Sequence, residues 1–501
     1  MRRCALCAIV VFVLMPATGC DWGYYALLNS IPIDDTYGAK RVHVLLGVDS
    51  LALSLVEQAR AQGAFSEDTW RLAPVATAFP GTSDSSWTRT LHTEPIDGYE
   101  YQYYDPTHDE VVRAGYWGLF THAVPWLEKP CYEAFDYAGD GLTGLYYMYQ
   151  NPWYSLSNAL DSTFVLIAGR QASGLDVVTS YLNEVDAMGH MLPEADSLAA
   201  VMEIDRRIRA FKRAHPKQTY LFTLISDHGQ NFTPCATNNC LVRFQEEMPS
   251  LGLTPVTSLR EQAAPGTVAA IPIIHTRVSY LALHCRDEDT EEVARRASGA
   301  SAIDLAVSHI APIVEATSGV PMVWYGVWKA GVLILRFGHA AATDTYVIDR
   351  ASDFAALDIA WTDVTTGFAN YDDEQLFALT SATAYPDFFY RVRTGLSAVG
   401  VRYPAQVLLS FASPNASIGF EVPGGANAIA AQSFHGSLAR ADTLGVLLTE
   451  ERDLPALVRG DTALDLVPVF RRHFEQLGTF HGDDDPNEAL DYDAIAPLSA
   501  P

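Results

Sequence analysis

The sequence predicts an α/β protein with a mostly parallel central sheet, helices on its faces and a small α+β cap inserted in the second half. Apolar strand-like runs alternate with helical patterns, and three of these runs lead into carboxylates, Asp49, Asp186 and Asp227. From about residue 265 to 349 the alternation gives way to a strand, a charged helical stretch and a hairpin.

Residues 41–49 form a continuous apolar run ending on Asp49, as a buried parallel strand would, and Leu51 to Gln62 has helical spacing. Further strands are predicted at Thr163–Gly169, Val177–Val185 and Thr219–Ser226, with a long helix from Ala195 to Ala214 between the last two. Ligands of such sheets gather at the carboxyl ends of strands, where these three carboxylates fall. In the inserted part, a strand at Thr276–Leu283 precedes a charged helix near Asp287–His309. Strands Val323–Trp328 and Gly331–Phe337 then flank a Lys329-Ala330-Gly331 turn. Val407–Phe411 is another strand. The chain thus divides into an N-terminal segment 1–20, a catalytic core 36–264, an insertion 265–349, the rest of the core 350–480 and an acidic tail 481–501.

At 501 residues, with 49% hydrophobic and 19% charged residues, the chain is globular and can bury a large core. Its formal net charge of −27 repels polyanions, which argues against a nucleic-acid polymer or an anionic membrane face as partner. A small phosphorylated substrate remains compatible, because bound metal ions dominate the field in their own cleft.

Arg2 and Arg3, the apolar run Ala5–Met15 and Ala17-Thr18-Gly19-Cys20 read as a signal peptide with a lipobox-like end. This implies export to the periplasm or cell envelope, with Cys20 as a candidate lipid anchor and the only tie to a membrane. Cys131, Cys235, Cys240 and Cys285 remain for the body, and their loose spacing favours two disulfides over a zinc site.

Four motifs carry the chemistry. Ser226-Asp227-His228-Gly229 sets a carboxylate beside an imidazole at a strand end, where both can turn to one metal ion. Its bland reading is a capped turn with a surface histidine. Asp186 and His190 are spaced to share one face of a helical turn, though an ordinary helix cap has the same spacing. Phe79-Pro80-Gly81-Thr82-Ser83-Asp84-Ser85 puts hydroxyls at a helix start, where backbone N–H groups favour anions. It lacks the final glycine of a serine-hydrolase elbow. Phe434-His435-Gly436 is a lone histidine that says little by itself.

In this order, with Asp49 before them, the motifs resemble the type I phosphodiesterase/nucleotide pyrophosphatase branch of the alkaline phosphatase superfamily, over roughly residues 41–450. The resemblance implies a hydrolase with two zinc ions, manganese or iron being the alternatives. Asp186, His190 and His435 would hold one ion, and Asp49, Ser83, Asp227 and His228 the other. It also implies Ser83 as the nucleophile that becomes phosphorylated, with Thr82 as the alternative. The sequence departs from the branch at Thr93-Glu94 and Ile96-Asp97, and Tyr101, beside Gln102, stands where an Asn that holds phosphoryl oxygens is usual. These departures put a nucleotide substrate in doubt. Aromatic clusters at Tyr99–Tyr104 and Tyr146–Tyr154 are candidates to stack on a substrate or simply to pack. Sulfatase chemistry lacks its Cys-x-Pro-x-Arg sequence. A phospho-headgroup transferase and a retired metal-binding relative are the competing readings, separated by acceptor dependence and by hydrolysis of an aryl phosphodiester.

Overall fold

The computed structural model describes residues 40–100, 102–113, 129–139, 147–148, 150–233, 240–260, 266–275, 277–313, 321–349, 353–361, 367–418 and 432–478. The N-terminal segment with Cys20, Tyr101, Tyr146, Cys235 and the acidic tail lie outside them. Among the described residues no helix is long and apolar enough to cross a membrane.

Two sheets organise the chain. The first has six strands in the order Val458–Arg459, Arg71–Ala76, Leu444–Thr449, Thr219–Ile225, Arg41–Val48, Val177–Leu182. Arg41–Val48 runs parallel to both its neighbours, whereas Leu444–Thr449 is antiparallel to both of its own. The second has nine strands, all antiparallel except the short pair Thr254–Pro255 with Ala269–Ile273. The sheets are therefore mixed, which corrects the mostly parallel expectation. The hairpins of residues 323–349 pair locally, and a local hairpin can only be antiparallel. Val407–Phe411 lies in this second sheet, between Ile303–His309 and Tyr280–His284.

Arg41–Val48 is apolar on both faces because both are covered. Val42, Val44, Leu46 and Val48 pack with Leu55, Leu160 and Ile204 from the helices Leu53–Ala61, Pro152–Ala172 and Glu194–Ala214. Leu45 faces the other way, against Trp87, Leu91 and Ile225. Trp87 belongs to the helix Ser83–Thr90, so the core fixes that helix against the strand leading to Asp49.

Several local expectations change. Thr163–Gly169 is the middle of the helix Pro152–Ala172. Asn151 caps this helix, accepting from the Tyr154 N–H at 3.3 Å, and Pro152 follows at its first position. Leu156, Leu160, Thr163 and Ile167 then recur at helical spacing among its buried residues, so the long period outweighs the short β-branched run. The charged helix stops at Ala297, and Ile303–His309 is a strand between two others. Val177–Leu182 ends before the helix Glu184–Met191, which carries Asp186. Cys131 and Cys285 are free and buried, and Cys240 is disulfide-bonded. Two disulfides are thus not formed by these four cysteines.

Candidate metal centre

Asp49 directly follows one of two adjacent parallel strands and Asp227 follows the other with Ser226 between, with Gly47 registered to Ile225, so both reach the same sheet edge. Val48 is registered to Leu182, and the helix after that strand presents Asp186 and His190 one turn apart. Gly189 between them leaves room for the Gln230 amide, which a Cβ there would push aside. Ser83 is the first residue of its helix. His435 arrives from far along the chain. Phe434 bridges to Asn231, and the His435 carbonyl accepts from the Ser279 N–H at 2.6 Å. Gly436 has φ +106°, and a Cβ there would come within 2.9 Å of Tyr280, so glycine suits it twice over.

The seven residues gather in one place. Asp186, His190 and His435 form one group whose ligand atoms could hold a metal ion, with Asp186 Oδ1 at 3.4 Å from His190 Nε2 and 3.7 Å from His435 Nε2. Asp49, Asp186 and His228 form a second, so Asp186 stands between the two. Ser83 Oγ lies 3.2 and 3.3 Å from the Asp49 carboxylate and 3.3 Å from His228 Nε2. Asp227 Oδ2 is 3.5 Å from the same nitrogen. Thr82 points elsewhere, donating to the Tyr99 carbonyl at 2.7 Å.

Each histidine is oriented from behind. Nδ1 of His190 lies 3.0 Å from the Ser433 carbonyl, that of His228 3.0 Å from the Gly229 carbonyl, and that of His435 2.8 Å from the Gly81 carbonyl. A carbonyl only accepts, so Nδ1 carries a proton and Nε2 points toward the centre, where a metal ion would take its lone pair. Asp227 follows the same logic. Its Oδ1 accepts from the Ser50 and His228 N–H groups, both at 3.0 Å, while the buried Oδ2 accepts no hydrogen bond. Inward-facing imidazole nitrogens and an unsatisfied carboxylate oxygen gathered around these two groups fit divalent cations.

The field agrees. Burial and the neighbouring Asp49 push the Asp227 carboxyl well above the usual range. Burial weakens the His228 base, but Asp227, Asp49 and Asp186 outweigh it and raise it to about 10. Such crowded carboxylates attract positive charge. His435, by contrast, is driven well down by burial and by His228, which keeps it neutral.

Residues 59–346 match the sequence profile described as type I phosphodiesterase / nucleotide pyrophosphatase. The chain belongs to that family. It is accordingly a hydrolase of the phosphodiesterase/pyrophosphatase kind. No curated protein matches the chain. Among solved structures it is similar to human ectonucleotide pyrophosphatase / phosphodiesterase 5 (10% identity, TM-score 0.43, covering 86% of this chain and 95% of that one). It is also similar to phosphonoacetate hydrolase from Sinorhizobium meliloti in complex with phosphonoformate (13% identity, TM-score 0.43, covering 88% of this chain and 96% of that one).

In this family member several neighbours of the centre carry no sequence motif. Tyr181 donates its hydroxyl to Asp49 Oδ2, and Gln230 donates to Asp186 Oδ1 at 3.4 Å. Tyr181 sits on a strand like any core residue; only Gln230, next to the Asp227-His228-Gly229 run, lay near a signal. Gln102 turns to the Ile274 carbonyl at 3.2 Å. Glu100 comes 3.4 Å from His275 Nδ1, and burial with Asp84 nearby raises it to about 8. Lys129 and Tyr132 both bond the Asp84 carboxylate.

Proposed function

We propose that this protein is an exported, two-zinc phosphoric-ester hydrolase acting on a small phosphorylated substrate, with Ser83 as the nucleophile. Asp186, His190 and His435 would hold one ion, and Asp49, Ser83, Asp227 and His228 the other. Zinc supplies Lewis acidity at the phosphoryl oxygens and lowers the pKa of a bound hydroxyl.

The reading rests chiefly on the Ser83 hydroxyl, which faces Asp49 and His228 while the adjacent Thr82 hydroxyl is tied to Tyr99. Ser83 also opens a helix, whose first N–H groups have no carbonyl partner inside the helix and favour phosphoryl oxygens. Attack by Ser83 Oγ on phosphorus forms the serine ester and expels the substrate's ester oxygen, which leaves with a proton. Water then cleaves the phosphoserine and restores the hydroxyl.

Acid-quenching zinc-loaded protein during turnover of an aryl phosphodiester tests this. One phosphoryl group, still carrying the substrate's retained ester substituent, is expected on the Ser83 peptide by mass spectrometry. A rapid turnover that never labels Ser83, or that labels Thr82, overturns the assignment. Dependence of turnover on an added acceptor alcohol would indicate transfer in place of hydrolysis.

A further inference from the structure

Behind the metal centre lies a buried cation with an unusual set of partners. Arg391, on the helix Phe388–Gly395, is 1% exposed. Its guanidinium makes five hydrogen bonds, every one to a backbone carbonyl. Nε donates to Thr77 at 2.8 Å, Nη1 to Pro386 at 3.3 Å and Leu438 at 3.0 Å, and Nη2 to Ala78 at 3.4 Å and Ser437 at 3.2 Å. Thr77 and Ala78 begin the loop that ends at Ser83, and Ser437 and Leu438 follow His435-Gly436 directly.

We propose that Arg391 is a positioning residue of the metal centre, fastening the Ser83 loop to the His435 loop so that the two halves of the site keep their spacing. The inference rests on the reading of this site as a metal centre. It goes further by naming what sets the relation between residues so distant in sequence.

Three more bonds tie the Ser83 loop to the His435 loop and to the short helix Arg440–Thr443 that follows it. Gly81 N–H donates to the Gly436 carbonyl at 3.3 Å, Thr77 Oγ1 to the Thr443 carbonyl at 2.7 Å, and His435 Nδ1 to the Gly81 carbonyl at 2.8 Å. The last matters most. His435 takes its ring orientation from the nucleophile's own loop, so sliding one loop past the other turns the imidazole away from Asp186.

A plain structural strut would not need a charge there. Burial pushes the Arg391 guanidinium down to about 9, with Asp387 only partly offsetting this. Asp387 is itself engaged by Arg459 at 2.7 and 2.8 Å, and Asp442 bonds the Asn231 amide at 2.9 Å. An apolar side chain would fill the space without this desolvation cost. What it could not do is hold five carbonyls from three segments in one plane, the task to which a rigid five-donor fork is suited. Lysine, with three donors on one point, cannot reproduce it.

The test compares wild type with Arg391→Lys and with Thr77→Val, which removes one tie between the loops and leaves the charge in place. Three quantities are read: thermal unfolding of the metal-free proteins, zinc affinity at each site by titration, and the ¹⁵N shifts of the His435 ring in metal-free protein. For Arg391→Lys we expect a folded protein in which one zinc binds at least tenfold more weakly. The His435 ring shifts should move, and lost turnover should be partly recovered by excess zinc. Thr77→Val should show the same pattern at smaller amplitude, and it carries the test if the lysine variant does not fold. Unchanged His435 shifts and zinc affinities, with only a lower melting temperature, overturn the proposal. If wild type takes up no zinc, the metal reading fails instead, and the ring shifts of the metal-free proteins still decide the role of Arg391.

Discussion

The imidazole of His435 lies flat against that of His228, with ring centroids 3.9 Å apart and planes inclined by only 10°. The two rings present their Nε2 atoms to adjacent places, His435 beside Asp186 and His228 beside Asp49. Burial and the neighbouring His228 hold His435 neutral, so the two rings can stack this closely, whereas two protonated ones would repel. The stack thus separates two groups of residues that could hold a metal ion while keeping them in contact.

Replacing His435 by alanine should therefore weaken one zinc and leave the ion near Asp49 and Asp227 in place. Zinc titration should show one tight and one weak site, and turnover should fall by at least ~100-fold, beyond the range typical of second-shell changes. Two tight zincs with near-normal turnover would mean that another residue completes the site.

Ser83→Ala should abolish turnover and keep most of the metal, because on the proposed assignment the hydroxyl would be one ligand among several. Thr82→Ala should act on stability. Its hydroxyl is fully buried and bonded to Tyr99, so removing it should cost about 1–2 kcal/mol and leave the rate within about tenfold of wild type. Rates and denaturation midpoints reversed between the two variants would shift the nucleophile by one residue.

Tyr181→Phe removes the hydroxyl that donates to Asp49 while keeping the ring, which packs edge-on against Trp87 at 5.5 Å. The ring should hold the fold, and zinc affinity should drop by roughly 10-fold, as for other second-shell partners. A competitive chelator titration gives the number; no change would show that the Asp49 carboxylate is held well enough without it.

Chelation should abolish activity, and zinc should restore it without refolding. The scaffold beneath the centre packs large apolar cores that need no metal, including Val44, Leu46, Leu160 and Leu224. Far-UV circular dichroism of the stripped protein should match the loaded one. A chelator-resistant, metal-free preparation with full activity would dismiss the metal reading.

Stability should fall on the acid side before the carboxylates titrate. His284 is 3% exposed, and burial pushes its imidazole down to about 4 from 6.5, although Gln406 bonds to it. Its neutral form is favoured by folding, so the unfolded chain binds more protons between those values. The stabilisation is complete above pH 6.5 and is lost as pH falls toward 4, by about 3 kcal/mol for this one group. In His284→Gln, urea unfolding should show a shallower decline over that window.

Much of the centre was legible in the sequence because its parts are local. An Asp-His pair at the end of an apolar strand, and an Asp and a His one helical turn apart, announce themselves through neighbouring residues. The strand ends at Asp49 and Asp227 were readable because buried parallel strands are continuous apolar runs. What the sequence left open was whatever depends on long-range packing. The run Thr163–Gly169 is rich in β-branched residues and reads as a strand when taken alone; it is helical because the longer capped period Pro152–Ala172 contains it. The second sheet is antiparallel because its strands are joined by hairpins and by a late strand, Val407–Phe411, that no local pattern assigns to it. Thr82 and Ser83 are chemically alike in sequence, and only the turn into the helix decides which hydroxyl faces Asp49. The convergence of His435 on Asp186, and the five carbonyls brought around Arg391, belong to tertiary structure alone. Backbone carbonyls carry no residue identity, so their grouping around one guanidinium exists only once the chain has folded.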